Sequence, residues 1–124
     1  MIQLDTNYLI HSLVPDTKQA AQLDSWILSG ETISTSAMAW SEFLCGPLSA
    51  THASAALAIL AGIEFVTASD AALAAELFNK SGRRRGSLAD CIIAAVAIRS
   101  AASLATDNRN DFAPLANFGL TLVP

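Results

Sequence analysis

At 124 residues the chain is long enough to bury one core and short for two, so residues 1–124 are expected to form a single domain. Hydrophobic residues make up 52% and charged residues only 15%, which excludes intrinsic disorder. Eleven acids against seven bases leave a formal charge of −4, so no global field draws the chain to a polyanion.

The first apolar run, Ile2 to Leu4, reads as a buried strand that ends at Asp5. Asp16, after Pro15, is placed to cap a helix carrying Ala20, Leu23, Ile27 and Leu28, with Gly30 as its stop. A second strand, Thr32 to Ser34, leads to Ser36 as the cap of a helix that runs through Trp40, Phe43 and Leu44 to Gly46. From Phe43 to Ile63 no Asp, Glu, Lys or Arg occurs, about the length of a bilayer span. Gly46, Pro47, Ser49, Thr51, His52 and Ser54 interrupt that stretch, which reads instead as a helix end, a turn and a second helix over residues 50–61.

A third strand is expected at Glu64 to Val66, with Ile63 before it, and then a helix over residues 70–80 with Leu73, Leu77 and Phe78 on one face and Gly82 just beyond. Lys80, Arg83, Arg84 and Arg85 concentrate four of the seven bases in six positions, the one basic spot on an acidic chain. Ser87-Leu88-Ala89-Asp90 has capping-box spacing, and Cys91 to Ile98 is apolar on all sides, the pattern of a buried central helix. Strands at Ser103 to Thr106 and Leu120 to Val123 complete the series. The 24 alanines favour helix between the strands. Short strands separated by helices predict a three-layer α/β/α sandwich around a mostly parallel sheet of about five strands.

The N-terminus has no basic region and reaches Asp5 within five residues, so it does not read as a secretory signal, and a cytoplasmic protein without a membrane segment is expected. Cys45 and Cys91 belong to no Cys-x-x-Cys pair and read as two reduced, buried thiols. His11 and His52 are isolated and read as surface or helix-face residues.

The carboxylates carry the chemical signal. Asp5 ends the first strand and Asp107 and Asn108 follow the fourth, so two strands deliver oxygen ligands to one edge of the sheet. Glu42 sits among Trp40, Phe43, Leu44 and Cys45, where an unpaired buried carboxylate is costly, and Asp90 opens the apolar helix as either its cap or a site residue. Acids converging without a His pair or Cys cluster make an all-oxygen site, suited to Mg²⁺, with Mn²⁺ as the alternative, and to phosphodiester hydrolysis.

Four blocks resemble the PIN-domain family: Leu4-Asp5-Thr6-Asn7-Tyr8-Leu9-Ile10; Thr35-Ser36-Ala37 with Ser41-Glu42-Phe43-Leu44-Cys45-Gly46; Asp90-Cys91-Ile92-Ile93-Ala94-Ala95; and Ala105-Thr106-Asp107-Asn108 through Asp111-Phe112. Within it the chain is similar to the VapC-type ribonuclease toxins of type II toxin-antitoxin pairs. The resemblance implies that Asp5, Glu42 and Asp90 belong to an acidic metal site, with Asp5 and Asp90 as Mg²⁺ ligands and Thr6, Ser36, Thr106 and Asp107 as hydrogen-bonding support. The family often has an acid where this chain has Asn108, so Asn108, Asp111 or Asp107 completes the site. Arg83, Arg84 and Arg85 are placed to bind RNA phosphates. The resemblance further implies a homodimer and a cognate antitoxin. The expected function is thus a Mg²⁺-dependent endoribonuclease toxin. The alternative is a non-catalytic PIN-like module that binds RNA or protein; a receiver-type phospho-acceptor lacks the lysine that would follow its late strand.

Overall fold

In the computed structural model, which describes residues 1–46 and 49–124, the first strand is buried at every position and needs partners on both sides and helices on both faces. The described elements are, in chain order, β1 (Ile2–Leu4), α1 (Thr6–Ser12), α2 (Lys18–Leu28), β2 (Ile33–Ser36), α3 (Ala37–Cys45), α4 (Ala50–Ile59), β3 (Gly62–Glu64), α5 (Ala68–Lys80), α6 (Leu88–Arg99), β4 (Ser103–Ala105), α7 (Arg109–Phe112), a 3₁₀ helix (Ala113–Phe118) and β5 (Thr121–Leu122). The sheet order is β3-β2-β1-β4-β5, and every pair is parallel. It is the expected α/β/α sandwich, with an all-parallel sheet.

Alternation along the strands feeds two cores. Ile2, Leu4, Ile33 and Ala105 pack with Leu9, Leu23, Trp26, Phe43 and Ala56 on one face. Leu104 packs with Leu77, Ile93, Ala94, Ala97, Phe112 and Leu115 on the other. Helix α6 is buried at Cys91 and from Ile93 to Ala97, as its unbroken apolar run requires. Helix α3 contributes Ala39 to one core and Phe43 to the other.

Several boundaries differ from the sequence reading. A helix, α1, starts directly after Asp5, and α2 is capped by Thr17, not Asp16, which itself lies at φ 65°. Strand β2 extends to Ser36, and two of its three polar side chains find partners: Thr35 donates to the Leu4 carbonyl at 2.7 Å, and the Ser36 hydroxyl accepts from Ala39 N–H at 3.1 Å, while the buried Ser34 hydroxyl has none among the described residues. Strand β3 ends at Glu64, β4 at Ala105, and β5 keeps only Thr121 and Leu122. The expected capping box at Ser87 and Asp90 does not form, since the Ser87 hydroxyl donates to the Arg84 carbonyl at 2.7 Å. One forms instead at Thr67 and Asp70, which begins α5. Pro47, read as a breaker, lies outside the described residues.

No helix among the described residues is long and apolar enough to cross a membrane. Both cysteines are free thiols; Cys91 is buried as expected, but Cys45, at the end of α3, is exposed, against the expectation of two buried thiols.

Candidate active site

The strand order reverses at β1: the chain winds outward through β2 and β3 on one side and through β4 and β5 on the other. A crevice opens at such a switch point, beyond the carboxyl ends of the strands. Asp5 follows β1 there and Thr106 follows β4. Asp5 is 3% exposed, and each of its carboxylate oxygens has a donor: Thr6 N–H to Oδ1 and the Thr106 hydroxyl to Oδ2, both at 2.8 Å. Its own N–H donates to the Ala105 carbonyl at 2.9 Å, locking β1 to β4 at the site. Burial raises the Asp5 pKa, the bonds from Thr106 and Thr6 oppose this, and Glu42 and Asp107 add to it; the net shift is upward.

Glu42 reaches the same place from α3. The Thr6 hydroxyl donates to Glu42 Oε1 at 2.9 Å, so Thr6 links the two acids, through its N–H to one and its O–H to the other. Ser36 lies upstream, where it caps α3 and so sets the helix that carries Glu42. Asp90 comes from the first turn of α6, free of the capping role. Its pKa is pushed up to about 6 by burial and by the Asp5, Asp111 and Glu42 carboxylates, against an opposing pull from Arg84. Acids from three helices and a strand end therefore share one negative potential.

In the last block, Asn108 N–H donates to the Thr106 hydroxyl at 3.0 Å, so the turn after β4 is tied to Asp5 through Thr106. Asp107 is held by His11 Nδ1 at 2.5 Å and by the Gln19 amide at 3.0 Å. His11, read as isolated, is thus paired 96 positions away. Asp111 accepts from Arg84 at 2.9 Å. Arg83 sits in the left-handed region at φ 56°, its guanidinium on Asn79 and 5.7 Å from the Phe78 ring centre. Arg84 is therefore drawn into the acidic site while Arg83 and Arg85 stay exposed beside it.

The donors are hard oxygens with an excess of negative charge, which fits a Mg²⁺-type cation. Among the described residues no three His, Cys, Asp or Glu side chains are grouped closely enough to hold a metal unaided. Mg²⁺ characteristically uses one or two carboxylates and keeps several waters, so Asp5 and Asp90 remain a suitable pair. Sequence reasoning missed a cavity of about 290 Å³ next to this cluster, where Tyr8 and Trp26 stack with ring centres 5.8 Å apart. The aromatic types were visible in the sequence, but their pairing joins two helices.

The PIN domain family model matches residues 2–117. No curated protein sequence matches the chain significantly. Among solved structures the chain is similar to FitAcB from Neisseria gonorrhoeae, with 24% identity, a TM-score of 0.75 and coverage of 100% of this chain and 97% of that one. It is also similar to a toxin-antitoxin complex from Klebsiella pneumoniae, with 24% identity, a TM-score of 0.74 and 91% of each chain covered. A third is VapC20 from Mycobacterium tuberculosis, a toxin that cleaves the sarcin-ricin loop, with 18% identity, a TM-score of 0.69 and coverage of 99% and 98%. At these identities the likeness is one of fold.

Proposed function

The chain belongs to the PIN domain family, and from that premise we propose that it is a Mg²⁺-dependent endoribonuclease, the toxin of a toxin-antitoxin pair. The observation that carries the proposal is the convergence of Asp5, Glu42, Asp90 and Asp111 at the switch point, where burial first and then the neighbouring carboxylates raise Asp90 to about 6. Metal-assisted phosphodiester cleavage uses such a site, because its acids hold a divalent ion where the scissile phosphate arrives. Asp5 and Asp90 would hold the Mg²⁺, which when bound would supply positive charge for the phosphate and lower the pKa of a water.

The remaining steps fall to the chain's own groups. Thr6 and Thr106 fix the Asp5 carboxylate, and Thr6 also holds Glu42, which is placed to accept a proton from water. Asp111 is the fourth acid in this reading: it acts on Asp90 electrostatically, whereas Asp107 is engaged by His11 and Gln19 and acts on Asp5. Asn108 contributes through its backbone bond to Thr106. Arg83 and Arg85 bind RNA phosphates, and Arg84 exchanges Asp111 for a phosphate as substrate arrives.

RNA as substrate and an antitoxin as partner are supported by the likeness to a toxin that cleaves the sarcin-ricin loop and to a toxin-antitoxin complex. Leu28 and Phe65, 88% and 81% exposed, offer apolar contact for an antitoxin or for a second copy in a homodimer. The test is cleavage by Asp5→Asn and Asp90→Asn, each with its fold verified by circular dichroism. Both are expected to be inactive, and parental rates in either would refute the chemistry. That no three His, Cys, Asp or Glu side chains among the described residues are grouped closely enough to hold a metal favours a second reading, a binding module. Calorimetry separates the two: no Mg²⁺ uptake at millimolar metal, with RNA binding intact, selects the module.

A further inference from the structure

Thr106 belongs to two neighbouring structures. Its hydroxyl donates to Asp5 in the acidic site, and the residue also lines the cavity of about 290 Å³ between α1, α2 and the turn after β4. That volume is at the lower edge of the ~300–1,000 Å³ of small-ligand clefts, right for one planar ring system and small for a folded peptide. Tyr8 and Trp26 form one wall, stacked with a 27° angle between rings. Trp26 is largely buried beneath, so the stack is a fixed platform rather than a mobile side chain.

The polar lining suits a base with a phosphate on either side. Gln19 and Gln22 both line the cavity; the Gln19 amide is spent on Asp107, while Gln22 is exposed and its amide presents both donor and acceptor. Lys18 and Arg109 are two of the chain's seven bases and both lie on this lining. Arg109 is steadied by donating to the Val123 carbonyl at 2.5 Å. Cations, a stacking platform and an amide, beside acids that would cleave a backbone, match the way single-stranded RNA is recognised, by stacking and by bonds to base edges.

We propose that this cavity is a nucleobase pocket, in which one unpaired base next to the scissile phosphate stacks on Tyr8 and is read by Gln22 while Lys18 and Arg109 hold the adjoining phosphates. The proposal rests on the RNA-cleaving reading of the acidic site. It makes base choice a property of α1 and α2, separate from the acids that perform the chemistry.

The test uses the full chain in EDTA with fluorescein-labelled single-stranded RNA octamers, each carrying an abasic nucleotide at one different position, read by anisotropy. The parent is expected to bind one of these octamers roughly ten- to a hundredfold more weakly than the intact RNA, the loss of one stacked base. In Gln22→Ala and Tyr8→Leu that difference is expected to collapse toward unity, with circular dichroism as the check on folding. Uniform binding of all octamers by the parent, absence of binding, or unchanged discrimination in both folded variants would overturn the pocket. Adding Mg²⁺ to the same complexes separates the two readings. Base-sensitive binding without cleavage would leave the pocket standing and remove the nuclease, whereas cleavage indifferent to Gln22 and Tyr8 would do the reverse.

Discussion

The two donors on Asp5 and the single hydroxyl that joins Thr6 to Glu42 define what each side chain contributes. Thr106→Val removes the bond to Asp5 Oδ2 at nearly constant volume, so Mg²⁺ affinity measured by calorimetry should fall about 10–100-fold; an unchanged affinity would mean that Thr106 does not orient the ligand. Asp90 makes a prediction about pH in metal-free protein. Its folded pKa of about 6 lies above its ordinary 3.8, so the native state holds the proton more tightly and stability falls as pH rises from about 4 through 6. Discounted for partial exposure, the cost above that window is about 1–2 kcal/mol. Asp90→Asn in EDTA should therefore melt higher than the parent at pH 7.5 and alike near pH 4, and a pH-independent difference would contradict this. Asp5, Glu42 and Asp90 stood out as candidates in the sequence because Asp5 ends a strand at the sheet edge, Glu42 lies among apolar neighbours where a carboxylate needs a partner, and Asp90 opens an apolar helix. The His11–Asp107 pair was not, since nothing local relates residues 96 positions apart.

Among the elements, α6 followed from its composition alone: eight consecutive apolar residues, Cys91 to Ile98, admit only a buried helix. Its cap did not follow, because spacing cannot say that the Ser87 hydroxyl prefers the Arg84 carbonyl. Thr67-Ala68-Ser69-Asp70 carries the same signature, and there the box forms, with Asp70 also bound by Arg99 Nε at 2.8 and 3.0 Å. Burial pushes the Asp70 pKa up, but Arg99 and the Thr67 bonds outweigh it and hold it below the ordinary value. Arg99→Ala leaves the buried Asp70 carboxylate without its ion-pair partner, so the midpoint of urea unfolding should fall; an unchanged midpoint would contradict this. Helix α1 was missed because it is only seven residues long and starts within the motif read for its acid. The Arg83–Arg85 loop is bracketed by Gly82 and Gly86 at φ 97° and 82°, values open to glycine, which let the chain present three arginines between α5 and α6. If Arg85 meets a phosphate, Arg85→Ala weakens RNA binding across sequences and flattens the log–log salt dependence by roughly 0.7; an unaltered slope removes it from the interface.

For the molecule as a whole, parallel pairing and helical crossovers were readable from the alternation of short apolar runs with helical segments. The position of the switch point was not, because strand order depends on long-range packing. Once the order is β3-β2-β1-β4-β5, Asp5 and Thr106 must meet, and the acids of α3 and α6 fall within electrostatic reach of them. On the proposed function, a chain with formal charge −4 would handle RNA by local means, through the arginine loop, the basic edge of the cavity and a cation held by the acids. The most direct test follows cleavage of a panel of structured RNAs, tRNAs included, by the purified chain in Mg²⁺, in Mn²⁺ and in EDTA, with Asp90→Asn alongside. Cleavage that appears with metal, disappears with EDTA and is lost in Asp90→Asn is the predicted result; cleavage that persists in EDTA or survives in the folded variant would contradict the account.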